Sequence, residues 1–144
     1  FCTRVALSES DEILVRGPTV ARQCQPILST GDLGRWDAAG ELELVGRSSD
    51  LIISGGENVA PEAVEAVLAQ HPAVADVAVV GRKDAEWGEV VTAIVVIEDG
   101  EVASAGQLID FCRPLLSPFQ RPKRIEFRES LGRSSAGKLR RKEL

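Results

Sequence analysis

Two runs of branched apolar residues constrain the fold of this chain more than any other feature of the sequence. They occupy residues 74–80 and 90–97, and a polar segment at residues 84–88 lies between them. Branched side chains favour strands, because they pack well on a pleated surface. A helix opened by Pro61 precedes these strands, and a second amphipathic helix from about Ser104 follows them. Helices and short strands without regular βαβ alternation predict an α+β fold.

Shorter elements are predicted from residue alternation and turn chemistry. They are strands at residues 12–16, 28–34, 41–45, 50–54 and 124–127, and a short basic helix over residues 138–144. The strands at 28–34 and 41–45 are the arms of a hairpin around the polar turn 37–40. We place a domain boundary at Ser48–Asp50, because the composition changes after Arg47.

Charge is unevenly distributed along the chain. Residues 121–144 hold nine Lys or Arg against three Glu, whereas residues 1–120 hold eight basic and nineteen acidic side chains. A basic tail suits an anionic partner. A nucleotide or coenzyme fits better than nucleic acid, because the acidic body would repel a duplex and few aromatic residues could stack on bases. A solvated helix end is the alternative interpretation.

The reactive side chains are few. Cys2, Cys24 and Cys112 are widely spaced, and His71 is the only histidine. A zinc site or a Ser-His-Asp triad would need groups that this chain can barely supply, so we predict no metal site and reduced thiols in a cytoplasmic protein. No apolar run reaches the ~18 residues of a membrane span, and no signal peptide is visible. A start at Phe1 without any Met predicts a piece of a longer protein.

A glycine-rich motif lies near the C-terminus. Residues 132–139 almost match the phosphate-binding pattern G-x-x-x-x-G-K-[ST], but Leu139 replaces the hydroxyl residue and too few residues follow for a crossover unit. We therefore interpret residues 134–138 as a flexible loop that presents one cation, Lys138. Such a cation would offset the charge that accumulates when a carboxylate attacks a phosphate.

Two further motifs contain glycine beside polar residues, and Thr-Gly-Asp taken alone would be an ordinary turn. Thr30-Gly31-Asp32 precedes Gly46-Arg47, and Gly46 follows Asp32 by fourteen residues. Ser54-Gly55-Gly56-Glu57-Asn58 comes next, and its two glycines leave the backbone bare, so that a thin chain can approach it. A tight structural turn is the alternative interpretation of the glycine pair.

In this order and with this spacing, the motifs resemble the last third of adenylate-forming acyl-CoA synthetases. Residues 1–47 look like the closing strands of the large N-terminal adenylation domain. Residues 48–144 look like the small mobile C-terminal domain, a short β-sheet flanked by helices that packs against its own N-terminal domain. The resemblance implies an acid–thiol ligase that activates a carboxylic acid with ATP and Mg²⁺ and then transfers the acyl group from AMP to coenzyme A. The metal would be held mainly outside this chain, and the isolated piece is expected to be inactive.

The resemblance also implies roles for individual residues. Asp32 accepts hydrogen bonds from the ribose hydroxyls of ATP or AMP, and Arg47 assists it. Lys138 lies where the family carries the lysine of the adenylation step. Ser49 lies at the hinge, where relatives usually carry Asp or Lys, and it can still absorb a change of backbone angles.

Coenzyme A is the acceptor that the resemblance favours. Ser54 and the glycine pair match the segment that passes the pantetheine chain, and Trp87 lies near that path. The segment around Phe119 resembles the one that meets the nucleotide end of the coenzyme. The residues implied in coenzyme A binding are Ser54, Gly55, Gly56, Trp87, Phe119, Arg121 and Lys123.

Several identities stay open at this point. Residues 46–58 are particularly similar to o-succinylbenzoate–CoA ligases of menaquinone biosynthesis. A fatty-acid or aryl-acid CoA ligase, a peptide-synthetase-like adenylation domain and a non-catalytic nucleotide- or partner-binding module are the alternatives. The carboxylic acid and the oligomeric state, a homodimer among the options, are not determined by these residues.

Overall fold

The computed structural model describes residues 3–18, 20, 27–132, 139, 141 and 144. The chain forms two compact units, Phe1–Leu51 and Ile52–Leu144. The division follows Leu51, one residue beyond the boundary that the sequence predicts at Ser48–Asp50. The assignment of the two units to parts of a longer enzyme stays a prediction.

The first unit is a four-stranded antiparallel sheet in which the strands are neighbours in chain order. Its strands are β1 (Arg4–Leu7), β2 (Glu12–Arg16), β3 (Leu28–Trp36) and β4 (Leu42–Arg47). The Asp37 carboxylate closes the β3–β4 turn, since it accepts hydrogen bonds from the amides of Ala39 (2.9 Å) and Glu41 (2.8 Å). The predicted β2 and the predicted hairpin are confirmed, and β1 was not predicted.

A 3-10 turn at Ser48–Asp50 follows β4. The predicted strand at residues 50–54 is therefore wrong at its start, and the strand β5 covers only Ile52–Ser54. β5 forms a hairpin with β6 (Glu57–Val59), which the sequence indicated only as a glycine loop.

The second unit is built on a long antiparallel pair, β7 (Val74–Asp84) and β8 (Gly88–Ile97). β9 (Arg124–Phe127) runs parallel to β8 from Thr92 onward. β5 pairs with the start of β8 through one residue pair. β8 is thus the central strand, and β5 and β9 share the edge that β7 leaves free.

Two helices cover one face of this sheet. α1 (Pro61–Leu68) begins with its proline, and α2 (Ala105–Cys112) begins with a reciprocal capping box between Ser104 and Gln107. Both predicted helices are confirmed. α2 ends at Cys112; beyond it Leu116 still reaches the core, whereas Leu115 is exposed. The main core contains Ile52, Val59, Val64, Leu68, Val77, Val79, Val91, Ala93, Val95, Leu108, Cys112 and Leu116.

Described residues near the C-terminus pack on the opposite face of the sheet. Ala78 and Ile94, a cross-strand pair, pack there with Leu131, and Leu139 and Leu144 lie against the same cluster. The short basic helix predicted over residues 138–144 lies mostly outside the described residues. Two helices beside mixed strands confirm the predicted α+β class. None of the described helices has the length and apolar character that crossing a membrane would require.

Candidate functional site

Asp32 and Arg47 form an ion pair on the first unit. They are direct partners in the β3–β4 ladder, and the Arg47 Nε lies 2.9 Å from the Asp32 Oδ1. The Asp32 side chain is 29% exposed, and the Arg47 guanidinium contacts one of its two oxygens. A carboxylate held in this way can accept hydrogen bonds from vicinal hydroxyl groups.

The backbone before Asp32 is held by a residue that the sequence did not indicate. Gly31 has a φ of +75°, which favours glycine, and the Glu12 Oε1 accepts hydrogen bonds from the Ser29 hydroxyl (2.6 Å) and the Gly31 amide (2.8 Å). The Ser29 hydroxyl, and after it the Gly31 amide, hold the pKa of the Glu12 carboxyl below its usual value. Thr30 completes the arrangement, because its hydroxyl donates to the Ile13 carbonyl (2.9 Å) and accepts from the Asp32 amide (3.1 Å).

The glycine pair Gly55-Gly56 forms the two-residue turn of the β5–β6 hairpin. Their φ values are +60° and +86°, and this combination is typical of tight hairpin turns. The structural explanation that the sequence left open therefore accounts for both glycines. Both glycines are also exposed, so a ligand can reach their backbone. Ser54 is only 3% exposed, which leaves little of it accessible to a ligand.

Trp87 lies directly against Gly55. The Gly55 amide donates to the Trp87 carbonyl (2.9 Å), and a Cβ added at Gly55 would lie 2.7 Å from the Trp87 Cε3. Any side chain at position 55 would therefore collide with the indole. The ring itself is 41% exposed, so it offers an aromatic surface beside a bare turn.

Lys123 joins these residues from the beginning of β9. Its Nζ lies 2.9 Å from the centroid of the Trp87 ring, a cation–π contact. We call Gly55, Trp87 and Lys123 the Trp87 cluster. The cluster unites residues from three separate stretches of sequence, and it combines bare backbone, an aromatic face and a positive charge.

Asp84 ties the two sides of this cluster together. One carboxylate oxygen accepts hydrogen bonds from the amides of Glu86 (3.0 Å) and Trp87 (3.3 Å), which shapes the β7–β8 turn. The other oxygen pairs with Arg124 at 3.2 Å, next to Lys123. No local sequence pattern indicates this role of Asp84, because its contact with Arg124 forms only when β9 pairs with β8.

The other predicted coenzyme A residues lie differently. The Arg121 guanidinium donates to the main-chain carbonyls of Leu116 (3.1 Å) and Arg113 (3.0 Å), so that it stabilises the turn after α2. These bonds limit its freedom to reach a phosphate. Phe119 is exposed on the same connecting segment.

The hinge residue and the catalytic lysine complete the predicted set. Ser49 is exposed in the 3-10 turn, and its hydroxyl donates to the Asp50 carboxylate (3.0 Å). Lys138, together with the rest of the loop at residues 134–138, lies outside the described residues.

The remaining reactive groups have structural surroundings. His71 packs edge-to-face on Phe111, and its Nδ1 accepts a hydrogen bond from the Ala73 amide (3.2 Å). Burial raises the pKa of the Cys112 thiol, which keeps it protonated. Cys2 and Cys24 lie outside the described residues. Within the described part of the chain, no group of three or more His, Cys, Asp or Glu side chains is arranged to hold a metal ion.

This chain is similar to known proteins in both sequence and structure. The AMP-binding enzyme C-terminal domain family matches residues 63–138. A 2-succinylbenzoate–CoA ligase of Bacillus cereus (strain Q1) is 48% identical over 117 residues, which cover 81% of this chain and 24% of that protein. An indoleacetate–CoA ligase of Aromatoleum aromaticum is 39% identical over 142 residues, which cover 90% of this chain and 28% of that protein.

A solved relative has the same fold. The o-succinylbenzoate CoA synthetase of Bacillus subtilis, in complex with its acyl-adenylate intermediate, superposes with a TM-score of 0.86 at 35% identity over 99% of this chain and 34% of its own. The same enzyme in complex with ATP and magnesium ion also gives 0.86, at 36% identity over 100% of this chain and 34% of its own. The chain thus spans about a quarter to a third of the length of these relatives.

Proposed function

Because this chain belongs to the AMP-binding enzyme C-terminal domain family, we propose that it forms the C-terminal part of an AMP-forming acid–CoA ligase. In the first step the carboxylate attacks the α-phosphate of ATP, and pyrophosphate leaves. In the second step the thiol of coenzyme A attacks the acyl carbon, and AMP leaves. The observation that carries the proposal is the Trp87 cluster, since it unites three residues that the sequence assigned to coenzyme A.

The nucleotide contact falls to the first unit. The Asp32 carboxylate would accept hydrogen bonds from the ribose hydroxyls, and Arg47 would keep the carboxylate oriented for them. Glu12 would hold the Gly31 backbone that presents Asp32. A relative solved with ATP and magnesium ion supports these substrates. Mg²⁺ would be held mainly by parts of the enzyme beyond this chain.

The coenzyme contact falls to the Trp87 cluster. Its bare turn and aromatic face would accommodate the pantetheine chain, and Lys123 would supply positive charge for the phosphates at the nucleotide end. Arg121 contributes to the shape of the connecting segment through its two carbonyl bonds, and Phe119 would offer a stacking surface.

Lys138 is the proposed catalytic residue of the first step. Its ammonium group would offset the negative charge that gathers on the phosphate oxygens as the mixed anhydride forms. We further propose that Ser49 is the hinge that lets the enzyme change between its two steps.

The decisive experiment separates the two half-reactions in the full-length enzyme that carries this chain. Lys138→Ala should lower acyl-adenylate formation on the order of a hundredfold or more. Thioester formation from a supplied acyl-adenylate should stay close to that of the unmodified enzyme. If this chain were a non-catalytic binding module, Lys138→Ala would leave the activity of the full-length enzyme unchanged. Ser49→Pro, which restricts the backbone at the hinge, should spare adenylate formation and slow the thioester step.

The acid is proposed from two of the similar ligases. Identity of 48% to a 2-succinylbenzoate–CoA ligase favours o-succinylbenzoate and a place in menaquinone biosynthesis. The indoleacetate–CoA ligase supports an aryl acid as the second candidate. A panel of o-succinylbenzoate, indoleacetate and fatty acids, assayed with ATP and coenzyme A, decides between them. Transfer to a carrier protein in place of coenzyme A would favour a peptide-synthetase-like enzyme.

A further inference from the structure

The β5–β6 hairpin has a sparse main-chain attachment to the sheet. Among the described residues, Ser54 and Gly88 form the one residue pair between β5 and β8, and the bond from the Gly55 amide to the Trp87 carbonyl belongs to that pair. The next main-chain donor along β5 is the Ile53 amide. It binds the carboxylate of Glu89, whose Oε2 lies 3.0 Å away. A side chain thus supplies a bond that the strand ladder does not.

A glycine on the neighbouring strand β7 leaves room for the Glu89 carboxylate. Gly81 lies on β7, two residues before Lys83, which is the strand partner of Glu89. It therefore lies on the same face of the sheet as that pair. A Cβ added at Gly81 would lie 2.8 Å from the Glu89 Cδ and 2.9 Å from each carboxylate oxygen. Any side chain at position 81 would displace the Glu89 carboxylate. The glycine therefore leaves room for the carboxylate at the place where it binds the Ile53 amide.

We propose that Glu89 is a positioning residue for the thioester step. Its bond to Ile53 holds the hairpin so that the Gly55 turn keeps its contact with Trp87. If the bond is lost, Ile52 and Val59 still hold the base of the hairpin in the core, but its turn keeps only the Ser54–Gly88 pairing to β8 and shifts against the indole. This inference rests on the proposed function of the Trp87 cluster in coenzyme A binding.

A carboxylate suits this task better than a neutral acceptor. Hydrogen bonds to ionised groups are shorter and stronger than neutral ones. The bond lies at an exposed position, so water can reach an Ile53 amide that has lost this acceptor, and the bond acts mainly by fixing the position of the hairpin. The Ile53 side chain is exposed, and its packing offers little other attachment.

The test uses Glu89→Ala and Glu89→Gln in the full-length enzyme. For Glu89→Ala we expect the KM for coenzyme A to rise and thioester formation from a supplied acyl-adenylate to fall about tenfold, as expected for one lost hydrogen bond to a charged group. Adenylate formation should change less than about twofold, because Glu89 does not act in that step. Glu89→Gln keeps an acceptor oxygen and should recover most of the loss.

Gly81→Ala tests the same contact with Glu89 intact. Its new methyl group displaces the carboxylate, and it should reproduce the selective loss of the thioester step. Amide hydrogen exchange of residues 52–57 should accelerate in both Glu89→Ala and Gly81→Ala. Glu101→Ala removes an exposed carboxylate in the loop after β8 and serves as the matched control that changes neither quantity.

Two results would overturn the inference. One is unchanged hydrogen exchange in the hairpin together with an unchanged thioester rate in Glu89→Ala and Gly81→Ala. The other is an equal loss in both half-reactions, which would indicate general destabilisation. Either result leaves the proposed ligase standing, because that fails only if the unmodified enzyme forms no acyl-CoA from any acid in the panel.

Discussion

The two candidate sites of this chain are stabilised in different ways. The Asp32–Arg47 pair lies within one ladder of the first unit, and hydrogen bonds from its backbone amides to the side chains of Glu12 and Thr30 hold it in place. The Trp87 cluster lies on the second unit, where two tight turns and the start of β9 meet above a large apolar core. The first site therefore depends on polar bonds, and the second depends on packing and turn geometry.

Burial shows the same difference. Among the described residues of the first unit, the buried hydrophobic side chains are Ile13 and Leu33, whereas most of the buried core belongs to the second unit. Trp36 and Leu44 of the first unit are exposed. We infer that substitutions near Asp32 change ligand binding more than stability, and that substitutions in the second unit change stability first.

The largest effect is expected from the core of the second unit. Leu108 is fully buried between α2 and the sheet, and Leu108→Ala should lower the free energy of unfolding by about 2–5 kcal/mol. Urea denaturation of the chain measures this change. Val102→Ala, at an exposed position, is the control. A loss below about 1 kcal/mol would contradict the contrast between the units, since such a value is typical of surface positions.

Arg141 ties the C-terminal segment to α1 and β7. Its guanidinium binds the carboxylates of Glu62 and Glu65 and the carbonyl of Val79, and its side chain is 20% exposed. Arg141→Ala leaves two neighbouring carboxylates without this cation, and we expect it to cost about 1–3 kcal/mol of stability. Denaturation curves measure the loss.

Arg113→Ala is the control for the Arg141 substitution. The Arg113–Asp110 pair is exposed on both sides, so that its removal should change stability by less than about 1 kcal/mol. Equal losses from the two substitutions would show that burial of the Arg141 network contributes nothing.

Gly55→Ala sharpens the comparison at the Trp87 cluster. A non-glycine residue at a φ of +60° costs about 1–2 kcal/mol, and the new Cβ would collide with the indole. We expect slower thioester formation in the full-length enzyme, with adenylate formation preserved. Gly100→Ala has a similar φ without a collision, so it should reproduce the stability loss without the loss of thioester activity.

Asp32→Asn should affect binding without affecting folding. The amide keeps the shape of the carboxylate but loses its charge, and we expect the KM for ATP to rise about tenfold. The unfolding midpoint should stay close to that of the unmodified chain. Glu43→Gln, in the exposed Arg35–Glu43 pair on the same sheet, should leave the KM for ATP unchanged.

The smallest expected effect is on the stability of the folded chain at acidic pH. The bonds from Ser29 and Gly31 favour ionised Glu12, so the pKa of its carboxyl is lower in the folded chain than in the unfolded one. The stability that they contribute is full above the unfolded pKa, and it is lost as the pH falls through the folded pKa. Glu12→Gln should therefore flatten the acid limb of the stability curve. Identical curves for both proteins would remove Glu12 from this account.

The sequence predicted the regular elements and missed the side chains that connect them. The strands at residues 74–80 and 90–97 and both helices have strong periodicity, and the structure confirms them. β6 was missed because its three residues follow a glycine pair that resembles a loop. Glu12, Asp84 and Glu89 act through partners 17 to 40 residues away. No local pattern can indicate such contacts, since they exist only after the strands pair.

Strand β8 has two ends with different tolerance to change. Its start at Gly88 carries the turn of Trp87, where one extra residue would shift the indole away from the Gly55 backbone. Its other end, at Ile97, leads into a loop whose Val102 is 90% exposed. A protein engineer who wishes to insert a reporter peptide or a purification tag therefore has a natural location between residues 99 and 103, away from the Trp87 turn.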